Sequence, residues 1–178
     1  VHSHGKILMV DEAHGAHLRF NDRLPACAMD SGADICVQSA HKTLPAFTQA
    51  SYLHVGTDKI DLERLKHNLG MLQTSSPSYI LMASLDIARA IMEQEGKKRL
   101  DGLLAGIVGF DRSIGGCGGF AMLKGELLNE GSHDRTRLVI NVNGAGLTGF
   151  EAEKLLRERY NIQVEMSELM NIACIATI

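Results

Sequence analysis

The sequence predicts an α/β fold: part of a large domain with a mostly parallel sheet and flanking helices, joined to the start of a smaller α+β domain. Two short apolar runs, residues 6–10 and 34–37, each stop in a polar cluster of the kind found at the carboxyl ends of buried strands. Residues 78–98 keep a helical apolar period, and residues 137–178 read as strand, helix, strand, strand.

The first strand spans residues 6–10 and runs into Asp11-Glu12-Ala13-His14-Gly15-Ala16-His17. A carboxylate at that position sits where open α/β sheets bind ligands. Residues 30–34 form a turn cluster, and residues 34–37 the next strand, which ends in Gln38-Ser39-Ala40-His41-Lys42-Thr43. As neighbours, the two strands bring Asp11 and Lys42 to one edge of one sheet. Residues 48–55 alternate like a strand and follow too closely for a helical crossover, so they return antiparallel. A short helix covers residues 61–68, and residues 74–78 break the chain. The long helix follows, with Leu81, Leu85, Ala88 and Met92 on its apolar face, and residues 100–108 extend it or begin another.

Residues 109–136 are a glycine-rich connection. Within it, residues 116–121 formally fit GxGxxA, but no clear strand precedes them, so the stretch reads as a flexible loop rather than a nucleotide site. A strand spans residues 137–142. Thr148 caps a helix running to Tyr160, with Glu151 at the capping-box position. Residues 162–165 and 172–178 are two further strands. The expected division is therefore residues 1–108 as the major domain, 109–136 as the connection, and 137–178 as the start of a small domain. The chain opens without Met and closes on an apolar run, which predicts a fragment of a longer protein.

Hydrophobic residues make up 45% of the chain, enough to fill a core, and no apolar run is long enough to span a bilayer. A net charge of −3 gives no strong footprint for nucleic acid or a membrane surface. The four cysteines include no CxxC pair, which predicts reduced thiols and a cytoplasmic setting.

A lysine at a sheet edge can lose part of its charge by desolvation and attack a carbonyl, so Lys42 is the candidate covalent anchor for a cofactor. A surface charge is its plain alternative. Ser39 and His41 offer hydrogen-bond donors to a phosphate. Asp11 either caps a turn or faces a pyridine nitrogen and keeps it protonated, which makes the ring an electron sink. His14 is placed to stack on such a ring or bond its phenolic oxygen, and Ala13 leaves room for a flat ring. A competing constellation is metal binding by His2, His4, His14 and His17 with Asp11, but the order lacks the HExxH pattern of a metalloprotease helix. No metal is expected.

Val10-Asp11-Glu12-Ala13-His14-Gly15-Ala16-His17, followed by Gln38-Ser39-Ala40-His41-Lys42-Thr43-Leu44, resembles the Orn/Lys/Arg decarboxylase family. Residues 73–79, 147–154 and 160–165 are also similar to family segments. The resemblance implies a fold-type-I pyridoxal-phosphate enzyme of the aspartate aminotransferase-like fold. It implies Lys42 as the lysine bonded to pyridoxal 5'-phosphate, Asp11 at the pyridine nitrogen, His14 near the ring oxygen, and Ser39 and His41 on the phosphate. It further implies a homodimer or higher homo-oligomer, in which Thr74 and Ser75 reach the phosphate of the neighbouring subunit's cofactor. An earlier phosphate-cradling loop and a ring-stacking residue of the family pattern have no counterpart in these 178 residues.

The implied reaction is decarboxylation of a basic amino acid, arginine first and lysine or ornithine next. Glu165 and Glu168 are acidic candidates for reading the distal cation, with surface glutamates the plainer reading. The alternatives are a non-catalytic truncated fragment, or an aminotransferase or aldol-type lyase of the same fold.

Overall fold

The computed structural model describes residues 1–123 and 133–178. The chain forms two compact units, one of residues 1–22 and 26–97, the other of residues 23–25 and 98–178.

The first unit is built on a three-stranded sheet in the order β1-β2-β3, with β1 at Met9–Asp11, β2 at Ile35–Gln38 and β3 at Tyr52–Val55. β1 and β2 run parallel with Asp11 opposite Val37, and β3 returns antiparallel to β2 with Cys36 opposite His54. The antiparallel return and the shared edge of the first two strands are as the sequence predicts. β1 begins later than expected, at Met9. The Leu8 carbonyl instead accepts both the Asp34 and Ile35 N–H groups, which closes the turn into β2. A one-turn helix, α1 (Ala40–Thr43), follows β2 directly, and α2 (Leu62–Leu72) outruns its expected end at residue 68. Cys36, Ala40, Ala50, Ala88 and Met92 are buried in this unit.

α3 runs from Tyr79 to Gly116, and the division between the units falls within it. Residues 100–108 therefore continue the helix, and residues 109–116 of the expected connection are its last turns. A glycine in a helix interior costs about 1 kcal/mol relative to alanine. Full burial of an aliphatic side chain returns about 1.5–3 kcal/mol. Leu100, Leu104 and Ile107 are all buried, which outweighs the glycines among them. After the helix, Gly119 lies at φ +96, and a Cβ there would fall 2.7 Å from the Ala145 backbone nitrogen, a clash that glycine avoids. The expected connection ends in part outside the described residues, at 124–132.

The second unit holds a four-stranded antiparallel sheet in the order β4-β5-β7-β6: β4 at Ala121–Met122, β5 at Arg137–Asn141, β6 at Met166–Ser167 and β7 at Asn171–Ile175. Helix α4 (Gly149–Tyr160) packs on it, and Ile140, Val142, Ala152 and Ile172 form the buried centre. The strand expected at 162–165 is displaced. Asn161 takes the left-handed conformation at the end of α4, and Ile162 bonds back to the Leu156 carbonyl. Val164 then packs against the core instead of joining the ladder, and pairing resumes at Met166 opposite Ala173. No helix among the described residues is long and apolar enough to cross a membrane.

Candidate active site

The carboxyl edge of the parallel pair β1–β2 gathers most of the sequence-predicted residues. The ladder continues past β1, where Glu12 N–H donates to the Val37 carbonyl at 2.9 Å, and the two departing loops are then tied by Ser39 N–H to the Ala13 carbonyl at 3.2 Å. Asp11 and Ala13 therefore leave one strand beside Ser39 leaving the other. Asp11 Oδ1 accepts the Ala13 N–H at 3.0 Å, so this carboxylate shapes its own turn.

Ser39 stands at the N-cap of α1 and makes no side-chain cap bond. One turn later Lys42, an exposed residue, brings Nζ to 3.1 Å from His14 Nε2. An ammonium has no acceptor, so His14 Nε2 accepts and the His14 ring is neutral in this contact, with its proton on Nδ1. His41 Nδ1 lies 2.8 Å from the Ala50 carbonyl. A carbonyl only accepts, so Nδ1 carries a proton, and donation from Nε2 to a phosphate requires the second one.

Asp11, Ala13, His14, Ser39 and Lys42 thus stand at one edge, with His41 on the same turn as Lys42. Thr74 and Ser75 do not join them. They lie in the exposed connection between α2 and α3, where Thr74 Oγ1 accepts the Ser76 N–H at 3.2 Å. Glu165 and Glu168 are exposed in the second unit. The imidazoles of the competing metal reading are taken up separately: His2 Nε2 is 2.6 Å from Asp34 Oδ2, while His14 meets Lys42. Among the described residues no group of three or more His, Cys, Asp or Glu side chains is placed to hold a metal ion.

A second polar group, which the sequence reading did not assign, lies on the other face of the same strands. Glu12 follows Asp11 and turns to the opposite side, as strand alternation requires. Its Oε1 accepts the Ala28 N–H at 2.8 Å and its Oε2 accepts Gln38 Nε2 at 2.6 Å. Gln38 Oε1 in turn meets His54 Nε2 at 3.0 Å. Burial, and then the Arg19 charge, lower the His54 pKa below its ordinary value, against an opposing pull from Glu12. Burial and the Glu12 carboxylate push the Cys36 thiol up to about 11. Gln38 and His54 also line a cavity of about 280 Å³ with Ala16, Cys27, Leu44 and Tyr52. Alternation from Asp11 could have flagged Glu12; His54 had no signal until the register set it opposite Cys36.

An amine, a carboxylate, a neutral imidazole and an uncapped hydroxyl at one sheet edge are the donor set that pyridoxal phosphate needs for its aldehyde, pyridine nitrogen, ring and phosphate. The residues present fit that group.

A family profile described as "Orn/Lys/Arg decarboxylase, major domain" matches residues 1–132. Arginine decarboxylase of Bacillus subtilis (strain 168) is 41% identical over 179 residues, covering 99% of this chain and 36% of that protein. Arginine decarboxylase of Bacillus anthracis is 39% identical over 181 residues, with the same coverage of 99% and 36%. The chain thus spans little more than a third of the curated relatives it matches. The crystal structure of the Francisella novicida lysine decarboxylase LdcF superposes with a TM-score of 0.80 at 23% identity, covering 96% of this chain and 29% of that one. That likeness shows the α/β fold expected from the sequence.

Proposed function

The chain belongs to the Orn/Lys/Arg decarboxylase family, and from that premise we propose that the full-length protein carrying it removes the carboxylate of a basic amino acid as CO2, with pyridoxal 5'-phosphate held at Lys42. The observation that supports this most directly is the placement of Asp11, His14, Ser39 and Lys42 at the carboxyl edge of β1–β2, tied together by the Ser39–Ala13 bond.

When bound, pyridoxal phosphate supplies an electron sink for the pair released as the carboxylate departs. The chain's own residues supply the rest. Lys42 provides the anchoring amine, and neutral His14 is placed to accept a proton from its Nζ. Asp11 is assigned to the pyridine nitrogen, whose proton its charge retains. The Ser39 hydroxyl and His41 Nε2 are assigned to the phosphate, and the small side chain of Ala13 leaves space for the ring. Thr74 and Ser75, both exposed, are assigned to the phosphate site of a second copy in a homo-oligomer.

Arginine is the proposed first substrate, because relatives that align over 99% of the chain, those of Bacillus subtilis and Bacillus anthracis among them, are named arginine decarboxylases. Lysine and ornithine follow. Incubation with each amino acid, with quantitation of CO2 and of agmatine, cadaverine or putrescine, orders the three. A keto acid or aldol product in place of CO2 and amine would reassign the reaction within the fold.

Lys42→Ala in the full-length protein is expected to abolish both turnover and the pyridoxyl label that borohydride fixes on the wild-type chain. Persistence of both sinks the assignment. Asp11→Ala is expected to keep cofactor binding while lowering the rate by about a hundredfold or more, as loss of a preorganised charge does elsewhere. An unchanged rate would give the ring nitrogen to another group.

A further inference from the structure

We infer that Glu12, Gln38 and His54 form a positioning relay that holds the Lys42 and His14 loops in register from the opposite face of the sheet. The inference rests on the reading of Lys42 as the covalent anchor, and extends it to residues that touch neither cofactor nor substrate.

The direction of every bond in the relay is determined. The Glu12 carboxylate only accepts, so Gln38 must present its Nε2 to it, at 2.6 Å. That fixes the amide orientation and leaves Oε1 toward His54 at 3.0 Å. Oε1 only accepts, so His54 carries its proton on Nε2. The other Glu12 oxygen takes the Ala28 N–H at 2.8 Å, which secures the segment that crosses from β1 to β2.

The position of the relay in the chain gives it its role. Glu12 lies two residues before His14, and Gln38 lies four before Lys42. Gln38 is 7% exposed, so its amide has little water to fall back on. A rigid bond between Glu12 and Gln38 therefore sets how the two following loops meet, including the 3.1 Å contact of Lys42 with His14. His54 braces Gln38 from β3, the third strand of the sheet. A charged acceptor makes the Glu12–Gln38 bond stronger than a neutral pair would be.

The relay can be reversed without losing a bond, and that provides the test. In full-length protein, Gln38→Glu sets two carboxylates against each other. The double variant E12Q/Q38E restores the pairing: the amide at 12 donates to the carboxylate at 38 and still accepts Ala28 N–H, and the carboxylate at 38 accepts from His54 Nε2. Three readouts are needed: borohydride-fixed pyridoxyl labelling of Lys42, kcat and KM with arginine, lysine and ornithine, and the thermal midpoint. Q38E is expected to lower Lys42 labelling and kcat at least tenfold. The double variant is expected to recover both to within about threefold of wild type. Should Q38E fail to fold, Gln38→Met, which fills the same space without the bonds, takes its place in the comparison.

A labelled wild type whose Q38E and Q38M variants keep wild-type labelling and kcat overturns the relay alone. So does a double variant that regains the thermal midpoint but neither labelling nor kcat, since the network would then be structural only. A wild type that takes no label at Lys42 overturns the functional reading, and the positioning role with it.

Discussion

Thr43 follows Lys42, is 5% exposed, and its Oγ1 finds no hydrogen-bond partner among the described residues. A buried unpaired hydroxyl costs about 1–3 kcal/mol. Thr43→Val, which removes the hydroxyl and keeps the shape, is expected to leave the protein as stable or up to about 1 kcal/mol more stable. A fall in the urea midpoint would mean that the hydroxyl has a partner in the assembled protein. The residues of the candidate site were largely legible as single residues. Asp11 directly follows one apolar run and Lys42 lies in the polar cluster after the next, and their shared edge follows from the two runs being neighbouring parallel strands. The commitment of His41 Nδ1 to the Ala50 carbonyl was not legible, because it depends on the path of the turn into β3 rather than on residue type.

At the scale of the element, two contacts fix how segments begin. Thr148 and Glu151 bond each other's backbone N–H, closing the capping box at the start of α4. Thr148→Ala is expected to cost about 1 kcal/mol, seen as faster amide exchange in the first turn of α4. Beside it, a Cβ on Gly149 would fall 2.2 Å from the carbonyl oxygens of Glu168 and Asn171, so Gly149→Ala forces α4 off the β6–β7 turn.

Asp34 fixes the entry to β1. Its carboxyl is held below the ordinary carboxylate range by the Leu8 N–H first and His2 second. A carboxyl lowered on folding adds stability above its unfolded value, about pH 4, and loses it as pH falls through the lower folded value. Asp34→Asn is expected to flatten this part of the acid limb in a series of urea melts below pH 5. A limb of unchanged steepness would remove Asp34 from the account.

The capping box was legible because it is local, a Thr and a Glu three apart. The position of β6 was not, because the alternating run at residues 162–165 serves packing, and a single left-handed residue, Asn161, decides where pairing resumes.

For the molecule as a whole, the apolar side chains left uncovered matter most. Leu72 is 86% and Tyr79 80% exposed, with Met71 and Ile80 beside them. These flank Thr74 and Ser75, the residues assigned to a second copy's phosphate. Leu72→Asp with Ile80→Glu is expected to shift the full-length protein toward monomer in sedimentation velocity and to lower cofactor affinity in parallel. Monomerisation with full affinity would separate Thr74 and Ser75 from the phosphate.

The division into two units gives the cysteines a use unrelated to catalysis. Cys27 and Cys36 are buried in the first unit, Cys174 is half-buried in the second, and all three thiols are pushed up by burial. Cys117 is exposed at the end of α3. A thiol-specific reagent at neutral pH therefore marks Cys117 at once, the half-buried Cys174 more slowly, and Cys27 and Cys36 only as fast as their surroundings open. The modification rates of Cys27 and Cys36, followed by mass spectrometry against that of Cys117, thus act as a clock for the opening of the first unit, without a probe having to be introduced.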